Sequence, residues 1–142
     1  MRLLTIISIL LWTTTDNAAQ TLSISEPVRM LALGDSNTIG QGVGVNERWP
    51  AQLRDSLEAR GLETLPSRII ATTGWTTSDL LSGINAVQPD SNYSLVSLLI
   101  GVNNQFRNED LETYRLEFTE LLDRAIMHAD GIKEHVLSLI HI

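Results

Sequence analysis

Three short polar segments of this 142-residue chain carry the residue types that acyl chemistry needs: "GDSNT" at 34–38, "TTGWTT" at 72–77 and "GVNNQ" at 101–105. A serine hydroxyl becomes a nucleophile when a base takes its proton and hydrogen-bond donors wait where the carbonyl oxygen turns negative. Ser36 is the candidate nucleophile. The backbone N–H groups of Ser36 and Gly74, with the side-chain amide of Asn103, are three candidate donors for an oxyanion. Glycine lets a backbone approach a substrate closely, and an asparagine amide donates without ionising. Each residue has a plainer reading when taken alone. Gly-Asp-Ser is ordinary turn chemistry, Gly74 a turn glycine, and Asn103 a cap on the turn into the next helix. Together, in order, and each after an apolar run, they are far more specific.

Two competing motifs fail. The nucleophile elbow Gly-x-Ser-x-Gly would need a glycine where Thr38 stands. The glycines of "GQGVG" at 40–44 give G-x-G-x-G rather than the dinucleotide spacing, and they lie well past the strand end. They read as a flexible loop on the rim of a site, or as one wall of an acyl pocket.

The elements that must position these segments follow from hydrophobic spacing. Residues 28–33 are apolar apart from Arg29, which predicts a strand ending at Gly34. Residues 50–60 read as a helix opened by Pro50 and closed by Gly61, with Leu53 and Leu57 one turn apart. Residues 68–71 are a second strand, and 78–87 a helix with Leu80, Leu81, Ile84 and Val87 on one face. The run 93–101 is nearly unbroken apolar, as in a strand covered on both faces. A long helix is predicted over 109–128, with a stripe of Leu111, Tyr114, Phe118, Leu121, Leu122, Ala125 and Ile126. Residues 135–139 begin a further strand. Alternating strands and helices imply an α/β fold, a parallel sheet with helices on both faces. Ligand sites in such sheets lie beyond the carboxyl ends of the strands, which is where Ser36 falls. Trp49 and Trp75 either line a pocket there or fill the core.

Composition narrows the field further. With 43% hydrophobic and 19% charged residues, the chain has the make-up of one globular domain. A net charge of −7 argues against nucleic acid, since phosphate binding needs a basic stripe. No cysteine is present, which excludes disulfides, thiolate metal sites and a cysteine nucleophile. Residues 1–19 have the layout of a secretory signal peptide: Arg2, an apolar run over 3–12, and the small-residue exit Asn17-Ala18-Ala19. That run is too short to span roughly 30 Å of hydrocarbon, so no stable membrane span is expected. Residues 20–27 form a polar linker, and 28–142 the domain, leaving a periplasmic or secreted protein as the expectation.

The three segments resemble the sequence blocks of the SGNH (GDSL-type) hydrolase superfamily. The resemblance implies a three-layer flavodoxin-like fold, Ser36 as nucleophile, and an oxyanion hole of Ser36, Gly74 and Asn103. It also implies no metal or cofactor, and a small-molecule ester substrate, either a lipid or an acylated sugar. Esterase or lysophospholipase activity is the first expectation and carbohydrate O-deacetylation the second. Asn104 departs from the pattern, standing where the family's third block carries aspartate. The last block, Asp-x-x-His, has no counterpart, because the residues three before His128, His135 and His141 are Ala125, Ile132 and Ser138. The expectation is a domain incomplete at its carboxyl end, with the base and its orienter beyond this chain. "LSLIHI" at 137–142 resembles the translated end of a sequencing adapter, which leaves two readings, an artefactual terminus or a genuine apolar strand such as the family carries there. Two readings from other classes remain: a non-catalytic ligand-binding module on the same rim, and a flavin or phosphate binder using the Ser36 loop.

Overall fold

The computed structural model describes residues 23–139; the expected signal peptide at 1–19 lies outside the described residues, as do 140–142. Four strands form one parallel sheet in the order β2-β1-β3-β4: β1 Met30–Gly34, β2 Arg68–Ala71, β3 Leu95–Leu99 and β4 Val136–Ser138. Among the described residues five α-helices connect or follow them: α1 Ser36–Ile39, α2 Trp49–Glu58, α3 Thr77–Val87, α4 Val102–Phe106 and α5 Leu111–His128.

Strand alternation sorts the core into two layers. Leu31, Leu33, Ile70, Val96 and Leu98 face α3 and α5, where they meet Leu80, Ile84, Leu121 and Ala125. Met30, Ala32 and Leu95 face the other way, against Trp49 and Leu53 of α2. Each fully buried leucine contributes about 1.5–3 kcal/mol through the apolar surface it removes from water. Trp49 and Trp75, both partly buried, pack against these two layers, Trp75 with its ring over Gly83.

Element ends are set by local chemistry. Thr76 caps α3, with its N–H donating to Asp79 Oδ2 at 3.0 Å. Asp110 caps α5, which therefore starts at Leu111 and not at the expected residue 109. Its carboxylate accepts from Thr113 N at 2.8 Å and Thr113 Oγ1 at 2.9 Å. Those bonds hold the Asp110 carboxyl below its ordinary range, the backbone bond foremost. Leu111, expected on the buried stripe, is exposed.

The first strand starts two residues later than its apolar run. Val28 makes only an isolated bridge to Thr64, because the parallel register that pairs Leu31 with Arg68 would set Arg29 against Pro66. Proline has no N–H to give to the ladder. At the far edge, His135 sits in a 3-10 turn at Lys133–His135, and pairing begins at Val136.

From β1 the chain steps outward to β2, then crosses back over β1 to β3. The order reverses between β1 and β3, so the crevice expected in such a sheet opens at the carboxyl ends of those two strands.

Candidate active site

The exits of β1, β2 and β3 meet on that edge. Gly34 pairs with Ala71 on one side and Leu99 on the other, so the three strands end level. The segment after β1 turns at once into α1. A Cβ at Gly34 would overlap Thr38 Oγ1 and come within 2.5 Å of the Leu99 carbonyl oxygen. The missing side chain is what lets the turn fold back over the strand end. Asp35 is buried and caps α1, accepting from Asn37 N at 2.9 Å and Asn37 Nδ2 at 3.1 Å. Its carboxylate is thereby committed to the turn.

Ser36 is the first residue of α1 and half-buried. The first N–H groups of a helix have no intrahelical acceptor. Asp35 takes the one at Asn37, while the Ser36 N–H donates to no carbonyl among the described residues. After β2, Gly74 lies at φ +81°, in the left-handed region. Trp75 N closes a turn onto Thr72 O at 3.3 Å, and the Gly74 N–H is likewise unbonded among the described residues. After β3, Asn103 Nδ2 donates to Trp75 O at 2.8 Å. An amide nitrogen carries two hydrogens, so this bond fixes the side chain and leaves the second for a ligand.

Further bonds join the second and third loops. Arg107 Nη2 donates to Gly74 O at 2.6 Å, and Arg107 Nη1 lies 3.8 Å from Asp79 Oδ2. Buried Asn104 bonds Thr77, the first residue of α3. The first loop lies against the third, where Asp35 and Asn37 line a small crevice with Leu99, Ile100 and Val102. Ser36, Gly74 and Asn103, singled out from sequence, thus stand on converging loops of one rim. Sequence reasoning missed Arg107, which stood in no motif, and the reason for glycine at 34. Asn104 was visible only as a departure from a pattern.

The two described histidines lie at the opposite edge. His128 is buried, its Nδ1–H donating to Asp90 O at 2.9 Å, and its carbonyl accepts from Tyr93 N just before β3 begins. His135 Nε2–H donates to Ser23 O at 2.9 Å, just before β4. Neither reaches Ser36 across the length of the sheet. His141 lies outside the described residues.

Beside the rim, an open groove of about 820 Å³ runs from Gly101 along the first turns of α5, lined by Leu111, Tyr114 and Phe118 among others. Burial pushes the Tyr114 phenol above its ordinary pKa, so it stays neutral.

A parallel sheet with helices on both faces, strand order reversing beside a serine-bearing loop, defines a three-layer flavodoxin-like α/β protein. The chain belongs to the GDSL-like lipase/acylhydrolase family, whose profile matches residues 32–139. Among solved structures it is similar to AlinE4, an SGNH-hydrolase family esterase, with a TM-score of 0.66 at 24% identity, covering 82% of this chain and 60% of that one. TesA gives a TM-score of 0.64 at 19% identity, covering 79% and 58%. The psychrotrophic esterase EstA from Pseudoalteromonas sp. gives 0.60 at 18% identity, covering 79% and 57%. At these identities the likeness establishes the fold. The chain spans about 60% of the length of the solved structures it matches. No curated protein matches it. Among the described residues no helix is long and apolar enough to cross a membrane.

Proposed function

We propose that the gene product is a serine ester hydrolase in which Ser36 Oγ attacks the ester carbonyl. A histidine from sequence outside residues 23–139, oriented by an aspartate, accepts the hydroxyl proton. The carbonyl π bond opens, and its oxygen becomes an oxyanion held by Ser36 N–H, Gly74 N–H and Asn103 Nδ2. Collapse expels the alcohol, which takes the proton back, and leaves an acyl-enzyme. Water repeats the sequence and releases the acid.

The observation that carries this reading is the tether of Asn103 Nδ2 to Trp75 O, which sets one spare amide hydrogen beside the Gly74 turn. The apolar lining of the groove at Leu111, Tyr114 and Phe118 favours an acyl chain over a sugar, so an esterase or lysophospholipase reading stands ahead of carbohydrate deacetylation. The signal-like segment 1–19 supports export to a periplasm or medium. Turnover of p-nitrophenyl acetate and butyrate by the gene product and its Ser36→Ala variant tests the proposal. Loss of turnover in the variant is expected, and equal rates would remove Ser36 from the mechanism.

A further inference from the structure

We infer that Asn104 is a positioning residue for the donor loops, and that it has to be an amide because Glu109 already supplies a carboxylate beside it. This inference rests on reading the Ser36 rim as the reactive site. Asn104 is 3% exposed and Thr77 is fully buried. Asn104 Oδ1 accepts from Thr77 N at 3.1 Å, while Nδ2 donates to Thr77 Oγ1 and to Glu109 Oε2, both at 2.7 Å. The Thr77 hydroxyl in turn donates its single proton to Glu117. Every polar atom of the Asn104 side chain is therefore used. Turning the amide over would set its oxygen against the Glu109 carboxylate and its N–H₂ against the Thr77 N–H, so the network fixes the orientation.

The cluster ties three elements. Asn104 is on α4 next to Asn103, Thr77 opens α3 three residues after Gly74, and Glu109 and Glu117 belong to the entry and body of α5. Holding 104 against 77 holds the donor at 103 in register with the turn at 74. The other charged groups around it are Asp79 and Arg107, paired with each other, and Arg115, paired with Glu112.

Aspartate at 104 has no hydrogen to offer. Thr77 has one hydroxyl proton, for which carboxylates at 104 and 117 would compete, and the carboxylate at 104 would face that of Glu109 with no hydrogen between them. Carboxylates crowded in this way raise one another's pKa, so a shared proton restores a bond only in acid. The residue the family usually carries should thus be the wrong one here.

The test uses the gene product with Asn104→Asp, Glu109→Gln and the double variant, following kcat and KM for p-nitrophenyl acetate, thermal unfolding, and the side-chain amide NMR signals of Asn103. Asn104→Asp should lower kcat about tenfold or more near pH 8, with KM little changed, since small misplacements of catalytic groups cost up to about 10²-fold. The deficit should shrink towards about pH 5, as protonation relieves the crowded pair. In the double variant the amide introduced by Glu109→Gln returns a hydrogen to the contact, so kcat and the Asn103 signals should recover and the pH dependence flatten. Glu109→Gln alone keeps an acceptor for Asn104 and should fold with the wild-type Asn103 signals. Wild-type kcat in Asn104→Asp near pH 8, or a double variant no better than the single, overturns the inference. If Asn104→Asp does not fold, a folded double variant supports it and an unfolded one refutes it. If the wild type hydrolyses no ester, the proposed function fails, and the Asn103 signals and unfolding midpoints still decide on the clamp.

Discussion

Gly34 and Gly74 are both glycines for a reason, but for different ones, and substitution separates them. A methyl at 34 would press on the Leu99 carbonyl, which is backbone and cannot swing aside. Gly34→Ala should therefore yield little folded protein, read as loss of a cooperative thermal transition. At Gly74 the nearest atom to an added Cβ is Arg107 Nη2 at 3.7 Å, so space is not the limit. Its φ of +81° is, and forcing alanine there costs about 1–2 kcal/mol. Gly74→Ala should fold with a modestly lower melting temperature and lose kcat as its N–H is re-aimed. Asn103→Ala removes a donor outright, and kcat should fall about 10²–10³-fold with KM little changed. The three candidate residues stood out in the sequence because each combines a chemically apt type with a place just after an apolar run, and the fold brings their loops to one rim. The role of Gly34 was not, since its constraint comes from Leu99, a partner that only the folded sheet brings near.

At the scale of elements, α5 carries a cap whose strength depends on pH. Asp110 accepts two bonds from Thr113, and its carboxyl is held below the ordinary value of 3.8. A depressed folded-state pKa means the cap stabilises fully above the unfolded value and is lost as pH falls through the folded one. Asp110→Ala should lower the melting temperature at neutral pH, and the gap to wild type should close below about pH 3.8. Helix α5 also supplies Leu121, fully buried between β3 and α3, where truncation to alanine should cost about 2–5 kcal/mol in denaturant unfolding. Spacing alone predicted this helix and its stripe apart from exposed Leu111, and it placed the second strand, 68–71, to the residue. Periodicity failed at the ends. Val28 and Arg29 open the run that reads as a strand, yet regular pairing with β2 begins only at Leu31 because Pro66 would face Arg29, a cross-strand fact invisible in the segment itself.

The sheet gives the molecule two chemically different edges. Its carboxyl edge gathers Ser36, Gly74 and Asn103, whereas its amino edge anchors both described histidines by their rings to backbone oxygens. Five residues of β3 at about 3.3 Å each set these edges roughly 16 Å apart, while a base must come within about 3 Å of the hydroxyl it deprotonates. Sequence spacing had already withheld the base role from His128 and His135, for want of an aspartate three residues earlier. The fold adds the reason in distance, which no local pattern holds. The two histidines should therefore behave as structural groups. His128→Gln gives up the ring bond to Asp90 in a site only 4% exposed, so it should lower the melting temperature. His135→Gln, tied to Ser23, should do so less. In both, p-nitrophenyl acetate turnover by the folded gene product should keep the wild-type kcat and pH profile. A folded variant of either histidine that loses turnover would put the base at the wrong edge of the sheet and require a different arrangement of the three loops.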